Sequence, residues 1–297
     1  MPVIRTPDSR FENLDKYPFK PNYSTYNDVR IHYVDEGQGE NVIFCLHGEP
    51  TWSYLYRHMI PILAKNNRVI APDLIGFGKS DKYTEMSDYS LLLQIDAMEN
   101  LIEELGLGNI TLVCQDWGGI IGLPLAMRLH ARFSRLVILN TAMPTGDRPI
   151  SEGFMQWREF VQKAGKDLIA SKVIEFSTIN KDILTPEVLH GYDAPFPNTD
   201  YTAAIAAYPL LVPVKDDDAG VDILRDAREK LGNWHKPALV MFSDMDVVLG
   251  GGDRFFRKHI PSAKDQPVIT IEGAGHFLQE EKGEEIAGHI LDFLART

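Results

Sequence analysis

Asp116 lies between an apolar run and two glycines, a setting in which a side chain can be presented for chemistry. The run Ile110–Cys114 predicts a strand and residues 120–129 predict a helix; between them stand Gln115, Asp116, Trp117, Gly118 and Gly119. Strand, tight turn and helix together make a nucleophile elbow, which lifts one side chain above the carboxyl end of a sheet. Cys114 stands where this motif usually has its first glycine, and Asp116 where it usually has serine. The alternative is that Asp116 only caps the helix.

An aspartate at this position predicts different chemistry from a serine. A serine attacks an acyl carbon and needs a base that removes its proton. A carboxylate needs no such base, because the reference pKa of aspartate is ~3.9 and the group is ionised at neutral pH. It can attack a saturated carbon in line when the leaving group departs as an anion. The product is an ester of the protein itself, whose hydrolysis requires a base and an oxyanion hole.

His276 is the candidate for that base. It ends the glycine-rich segment Glu-Gly-Ala-Gly-His at 272–276, which follows the last predicted strand. In enzymes with a nucleophile elbow, the catalytic histidine comes last in chain order. The other eight of the nine histidines lack this context, and we interpret most of them as surface or core residues.

The histidine also needs a buried acid on its far ring nitrogen, which fixes the tautomer and stabilises the imidazolium. Asp244 and Asp246 both follow the predicted strand Ala238–Phe242. The usual spacing is a small residue and then the acid three positions later, which selects Ser243 with Asp246 and leaves Asp244 as a turn cap. The other place where such an acid can stand, after the preceding core strand, holds Asn140.

The loop after the first predicted core strand can supply part of the oxyanion hole. It reads His-Gly-Glu-Pro-Thr-Trp at 47–52. One backbone amide of this loop and the amide of the residue after the nucleophile usually form the hole. The sequence therefore predicts the amides of Glu49 and Trp117 as donors. A strand turn ended by proline would explain Gly48 and Pro50 but not the whole combination.

Short apolar runs, each followed by a longer segment with helical spacing, must position these residues. The predicted core strands are Val42–Leu46, Arg68–Ala71, Ile110–Cys114, Leu136–Leu139, Ala238–Phe242 and Val268–Ile271. Strands that are apolar throughout and alternate with helices indicate a parallel sheet covered on both faces. Val29–Val34 alternates apolar and polar residues and predicts an antiparallel edge strand. The fold class is therefore α/β, with a mostly parallel central sheet flanked by helices.

The alternation of strands and helices stops after Leu139 and resumes at Ala238. Between these positions helical pieces, such as Phe154–Ala164 and Ala203–Leu211, are interrupted by prolines. We interpret residues 144–236 as a helical cap, inserted into a core domain of residues 1–143 and 237–297.

Composition excludes several classes of function. A net charge of -12 and 44% hydrophobic residues over 297 positions suit a globular protein with a sizeable core and disfavour nucleic-acid or anionic-membrane partners. Neither a signal peptide nor a membrane span of roughly 18 apolar residues is predicted. Cys45 and Cys114 lie in apolar runs, which predicts buried free thiols and a reducing, cytoplasmic compartment. Without metal-ligand cysteine pairs or a phosphate-binding glycine loop, we expect no metal and no cofactor.

Four motifs together resemble those of the haloalkane dehalogenases. They are His47-Gly-Glu-Pro-Thr-Trp-Ser-Tyr-Leu-Tyr-Arg57, Ala71-Pro-Asp-Leu-Ile-Gly-Phe-Gly-Lys-Ser-Asp81, Gln115-Asp-Trp-Gly-Gly119 and Gly275-His-Phe-Leu-Gln-Glu280. The similarity runs from about Arg5 to the C-terminus. It implies the α/β-hydrolase fold and cleavage of a carbon–halogen bond by water, which gives an alcohol, a halide and a proton. Asp116 would be the nucleophile, His276 the base and Asp246 the orienting acid.

The resemblance also implies two donors that hold the leaving halide. One is the indole of the tryptophan after the nucleophile, Trp117, an uncharged donor on an apolar ring. In the branch with Glu in the His-Gly-x-Pro loop, the second is a cap tryptophan, which Trp157 matches; alternatively, Trp157 only packs within the cap. Glu49 resembles a residue near the hydrolytic water, or else faces solvent. The implied partners are a small apolar halogenated substrate and a halide ion, and we expect a monomer or weak oligomer.

The nearest alternative is an epoxide hydrolase, which shares the fold, the aspartate nucleophile and the histidine base. Its leaving alkoxide is protonated by cap tyrosines, and the candidates here are Tyr192, Tyr201 and Tyr208. Glu49 and Trp157 favour the dehalogenase. A fluoroacetate-type dehalogenase would prefer a cation where Trp117 stands. A non-catalytic binding protein would not need nucleophile, acid and base together.

Overall fold

The computed structural model describes residues 2–147 and 150–297. Met1, at the start of the predicted core, and Arg148 and Pro149, in the predicted cap, lie outside the described residues. Within the described chain, no helix combines the length and the apolar character that crossing a membrane requires. Cys45 and Cys114 are free and buried, as predicted, and burial raises the pKa of both thiols.

An eight-stranded sheet forms the centre of the fold. Its strands are β1 (Asn22–Tyr26), β2 (Val29–Glu36), β3 (Val42–Leu46), β4 (Arg68–Pro72), β5 (Ile110–Cys114), β6 (Phe133–Ile138), β7 (Ala238–Ser243) and β8 (Ile269–Ile271). They lie in the order β1-β2-β4-β3-β5-β6-β7-β8. The pairs from β4 to β8 are parallel, whereas β1 with β2 and β2 with β4 are antiparallel. The predicted mostly parallel central sheet is confirmed.

The prediction that Val29–Val34 is an edge strand is wrong. β2 is antiparallel as expected, but it lies between β1 and β4. Asn27 and Asp28, both with positive φ, join β1 to β2 in a two-residue turn of the kind that these residue types favour. The edge strand is β1, whose residues Asn22–Tyr26 include no aliphatic side chain and therefore gave no apolar signal.

Helices flank the sheet and fill the stretch between β6 and β7. They are α1 (Ile60–Leu63), α2 (Leu91–Glu104), α3 (Trp117–Arg128), α4 (Glu152–Ala164), α5 (Ala170–Ser177), α6 (Pro186–Asp193), α7 (Ala203–Leu211), α8 (Val221–Leu231), α9 (Asp253–His259) and α10 (Leu278–Ala295). Five of them, α4 to α8, lie between β6 and β7, where the described residues form no strand. A short antiparallel pair, Val3–Ile4 with Lys82–Tyr83, lies outside the main sheet.

The parallel strands bring the loops that carry the candidate catalytic residues to one edge of the sheet. Every residue of β3, β5 and β7 is buried, as expected for strands covered on both faces. Their carboxyl ends point the same way, so the loops that follow them lie together. These loops carry Glu49, Asp116 and Asp246, and His276 follows β8.

Candidate active site

Asp116 lies in the turn between β5 and α3, with a φ of 52° and a ψ of -127°. A positive φ is strained for a residue with a Cβ, and it persists only where surrounding contacts enforce it. The Asp116 amide donates to the carbonyl oxygen of Asn140 (2.7 Å), and Thr141 Oγ1 donates to the carbonyl oxygen of Asp116 (2.6 Å). A Cβ on Gly118 would lie 1.9 Å from the carbonyl oxygen of Leu46, so this tight turn requires glycine there.

The two oxygens of the Asp116 carboxylate have different partners. Oδ1 accepts a hydrogen bond from the Glu49 amide (2.8 Å), and Oδ2 lies 3.4 Å from Nε2 of His276. A Cβ on Gly48 would lie 2.2 Å from Oδ1, so the glycine makes room for the carboxylate. The carboxylate makes no capping hydrogen bond to α3, and the helix-cap alternative is therefore wrong.

The far side of the histidine faces an acid. Nδ1 of His276 lies 2.8 Å from Oδ2 of Asp246, whose other oxygen accepts from the amides of Val248 (2.8 Å) and Leu249 (3.1 Å). Asp246 is buried. Asp244 is exposed and accepts a hydrogen bond from the amide of Gly273, in the turn that precedes His276 (2.8 Å). The structure thus places Asp246 on the histidine and Asp244 at a turn.

Asn140, at the other position where an acid could stand, holds the loops together. Its Nδ2 donates to Ser243 Oγ (2.7 Å) and to the carbonyl oxygen of Gly275 (3.1 Å), and its Oδ1 accepts from the Ser243 amide (2.9 Å). Asn140 therefore ties the loop after β6 to the loops that carry Asp246 and His276.

Two carboxylates keep the imidazole of His276 protonated in the resting site. Burial lowers the pKa of His276, but the charges and hydrogen bonds of Asp246 and Asp116 outweigh this effect and raise the pKa from 6.5 to about 10. Burial works against the carboxylate of Asp246, yet His276 and two amides lower its pKa. Burial, reinforced by the charge of Asp116 and opposed by that of His276, raises the pKa of Glu49 well above its usual range.

Half of the predicted oxyanion hole is in hydrogen-bonding position. Within the described residues, only the Glu49 amide donates to the Asp116 carboxylate; the Trp117 amide makes no such bond. The Glu49 side chain is 6% exposed, so the solvent-facing alternative is wrong. Its Oε1 has no hydrogen-bond partner among the described residues.

Asp116, His276 and Glu49 open into a cavity of about 1080 Å³. Most of its lining is apolar and includes Ile120, Met143, Phe154, Val173, Leu249 and Phe277. Asp246 does not line it, which suits a group that acts through His276. The arrangement sets a carboxylate, held by the Glu49 amide on Oδ1 and facing His276 on Oδ2, at the wall of an apolar chamber where an uncharged substrate can be attacked.

Both tryptophans predicted to bind halide line this cavity. Trp117 is buried and packs edge-on against Tyr208, with ring centroids 4.6 Å apart. Trp157, on α4, stacks on Phe160 at 5.7 Å. Within the described part of the chain, neither indole N–H has a hydrogen-bond acceptor. Both donors are therefore free to serve a ligand.

Comparisons with known proteins identify full-length relatives. Residues 41–176 match the family model of the alpha/beta hydrolase fold. The chain is 44% identical over 301 residues to a haloalkane dehalogenase from Psychrobacter cryohalolentis, which covers 99% of this chain and 98% of that protein. The chain belongs to the haloalkane dehalogenase family. It is a hydrolase that removes halide from haloalkanes, as predicted.

Two further relatives of this haloalkane dehalogenase are a solved structure and an enzyme of different activity. A tetrameric haloalkane dehalogenase from Paraglaciecola agarilytica superimposes with a TM-score of 0.91 at 37% identity, and 97% of each chain is covered. A cis-3-alkyl-4-alkyloxetan-2-one decarboxylase from Shewanella oneidensis is 32% identical over 294 residues, covering 94% of this chain and 90% of that protein. Identity to the Psychrobacter and Paraglaciecola dehalogenases is thus higher than identity to this enzyme of other chemistry.

The three tyrosines predicted as proton donors for an epoxide hydrolase do not lie where that reaction requires them. Tyr192, Tyr201 and Tyr208 are absent from the described lining of the cavity. The Tyr192 hydroxyl donates to Glu280 (2.5 Å), and the Tyr208 hydroxyl is buried without a partner in the described chain. A proton donor to a leaving alkoxide must reach the substrate, which disfavours the epoxide alternative.

Sequence reasoning missed two groups around the dehalogenase site. Gln115 Nε2 lies 3.1 Å from Nε2 of His276 and donates to its carbonyl oxygen (3.2 Å), so it holds the backbone of the histidine. Its position directly before Asp116 was the available signal. Arg57 and Glu280 form a buried ion pair. Each stands at the end of a motif quoted above, but sequence alone does not reveal that the two motifs meet.

Proposed function

We propose that the enzyme forms a covalent alkyl ester on Asp116 and hydrolyses it with water activated by His276. The contacts of Asp116 carry the proposal, since an amide holds Oδ1, His276 lies 3.4 Å from Oδ2, and the residue lines an apolar cavity. In the first step Oδ2 bonds to the carbon, the carbon–halogen bond breaks, and the halide leaves with the bonding electrons. The apolar chamber keeps water from competing for the substrate.

In the second step, water attacks the ester carbonyl and His276 accepts its proton. The negative charge that develops on Oδ1 is stabilised by the Glu49 amide, with Trp117 as the predicted second donor. Asp246 stabilises the imidazolium. The intermediate then expels the alcohol, which takes the proton from His276. Asp116 loses the remaining proton and returns to the carboxylate.

The direct test of this proposal compares products from different substrate classes. With 1,2-dibromoethane we expect bromide release, and with styrene oxide no diol. Diol formation without halide release would support the epoxide hydrolase instead. Release of CO2 and alkene from a cis-3-alkyl-4-alkyloxetan-2-one, without halide release from any haloalkane, would place the chain functionally with the Shewanella relative.

We propose Trp117 and Trp157 as the two donors to the leaving halide, in the branch of the family with Glu in the His-Gly-x-Pro loop. Support comes from their shared position at the cavity and from their unpaired indole N–H groups in the described chain. A halide stripped of water needs hydrogen bonds in an apolar chamber, since an unsolvated charge is costly there. Two neutral donors supply them without adding a cation.

Trp157→Phe should weaken chloride binding about tenfold or more, because a hydrogen bond to a charged group contributes ~1.5–3 kcal/mol. The measurement is the chloride constant for product inhibition. Trp234→Phe is the matched control, since Trp234 is buried and does not line the cavity. An unchanged chloride constant in Trp157→Phe, with the fold intact, would return Trp157 to a packing role.

Ester hydrolysis should slow towards acid pH, while ester formation should not. The raised pKa of His276 means that its proton is held until about pH 10 in the resting site. Alkylation converts Asp116 into a neutral ester, so one of the two anions that raise this pKa disappears. We expect the single-turnover hydrolysis rate to rise with pH around a midpoint between 6.5 and 10. A midpoint below 6.5 would contradict the assigned roles of Asp246 and His276.

We propose residues 144–236 as the cap over a core of residues 1–143 and 237–297. Helices α4 and α5 contribute Phe154, Trp157 and Val173 to the cavity into which Asp116 opens. The sequence favours a monomer or weak oligomer, whereas the Paraglaciecola relative is described as tetrameric. Light scattering of the purified protein decides between these states. The cytoplasmic location stays a prediction.

A further inference from the structure

Exposed apolar side chains converge on the mouth of the catalytic cavity. Phe160, Ile169, Phe176 and Val247 are 56%, 53%, 77% and 76% exposed, and all four line the cavity. We call these four residues the apolar rim. Single exposed apolar residues are normal on protein surfaces, whereas a cluster rimming a pocket marks a binding site.

The rim is continuous with the catalytic residues through short contacts. At the end of α5, the carbonyl oxygen of Ser177 accepts from the His276 amide (3.0 Å). Val247 directly follows Asp246. On α4, the ring of Phe160 stacks on Trp157 at 5.7 Å. An apolar path thus leads from the proposed halide donor out to the rim.

The size and charge of the cavity indicate the shape of its occupant. Pockets of about 300–1,000 Å³ hold drug-sized ligands, and this cavity measures about 1080 Å³. A two-carbon haloalkane would leave most of that space unfilled. Of the charged groups in the outer lining, Arg228 pairs with Asp147 (2.8 Å) and Lys172 with Glu175 (2.6 Å), and Asp167 makes no ion pair among the described residues. Most of the surface that the described residues offer to a ligand is therefore apolar.

We propose that the apolar rim binds the distal alkyl tail of long-chain primary haloalkanes, whose halogen-bearing carbon lies at Asp116. This inference rests on the proposed function and adds the substrate class. A linear tail buries methylene groups against Phe160, Ile169 and Phe176 and needs no hydrogen bonds, which matches the apolar side chains of these three residues. Apolar burial then supplies binding energy remote from the reacting carbon.

The first test is the chain-length dependence of kcat/KM for 1-bromobutane, 1-bromohexane and 1-bromodecane, each below its solubility limit. We expect kcat/KM to rise from butyl to decyl, by up to about fourfold per added methylene, which corresponds to ~0.8 kcal/mol. Values that are flat or falling beyond 1-bromobutane overturn the tail site while the proposed function stands. Absence of bromide release from every bromoalkane, 1-bromobutane included, instead overturns the proposed function.

The second test removes the rim and uses a matched control. Val247 and Val268 are 76% and 77% exposed, but only Val247 lines the cavity. We expect Phe176→Ser and Val247→Ser to lower the decyl-to-butyl ratio of kcat/KM about fivefold, and Val268→Ser to leave that ratio unchanged. An equal ratio in all three variants overturns the proposal. The proposal is also overturned if Phe176→Ser dissociates an oligomer and keeps the decyl-to-butyl ratio of kcat/KM, because the rim is then a subunit interface.

Discussion

His276→Phe should release about one halide per active site and then stop. The first step needs only the Asp116 carboxylate, whose Oδ1 stays bound to the Glu49 amide in the variant. The second step loses the base, and general base catalysis contributes about 10²–10⁴-fold. The alkyl ester therefore accumulates. A halide burst in rapid-quench kinetics, together with an intact-protein mass increased by one alkyl group, would show it.

The control for this experiment is the same substitution at an exposed histidine. His190, on α6, is exposed and does not line the cavity, so His190→Phe should turn over normally. Full turnover by His276→Phe would contradict the assignment of the base. A complete loss of even the first halide would show that His276 is needed for ester formation, which the proposed mechanism does not allow.

Glu280→Ala should destabilise the enzyme by about 3–5 kcal/mol, because removing one partner of a buried ion pair leaves the other charge without compensation. Arg57 Nη1 and Nη2 donate to the two oxygens of Glu280 (2.5 and 2.6 Å), and both side chains are at most 1% exposed. The Tyr192 hydroxyl from α6 donates to the same carboxylate (2.5 Å). The substitution thus also leaves a hydroxyl of the proposed cap unpaired.

Thermal unfolding followed by circular dichroism measures this effect. At roughly 2–4 °C per kcal/mol for a chain of this size, Tm should fall by about 10 °C. Glu284→Ala is the matched control, because Glu284 lies one turn further along α10 with 67% of its side chain exposed, and we expect a change within about 0.5 kcal/mol. Equal losses in both variants would show that the buried pair contributes no more than a surface carboxylate.

Replacing both charged residues distinguishes the cost of an unpaired buried charge from the cost of losing the ion pair itself. Arg57→Met combined with Glu280→Leu removes the unpaired charge, and apolar replacements of buried ion pairs are often neutral or stabilising. The double variant should therefore be more stable than Glu280→Ala alone. A double variant that is less stable than the single one would mean that the pair's hydrogen bonds, rather than the isolated charge, dominate.

The sequence by itself determined those strands and helices whose own apolar pattern shows that they are buried. Predicted strands Val42–Leu46 and Ile110–Cys114 and helix Ala203–Leu211 match β3, β5 and α7 at both ends. A run that is apolar throughout must be covered on both faces, and that requirement is visible in the run itself. The elbow at Asp116 was predictable for the same reason, since strand, nucleophile and glycines are adjacent in the chain. β1 was missed because its residues carry no such signal.

Only the tertiary structure decided which distant groups meet. Asn140 binds Ser243 across 103 residues, and Arg57 pairs with Glu280 across 223 residues, whereas Asp246 as the partner of His276 had followed from the spacing. Periodicity reports which face of an element is buried, but not where a loop side chain points or which loop lies opposite. Those outcomes depend on how parallel strands bring their carboxyl ends together and on the turns that follow them. The apolar rim has the same origin, because its residues come from α4, from α5 and the residue before it, and from the loop after β7.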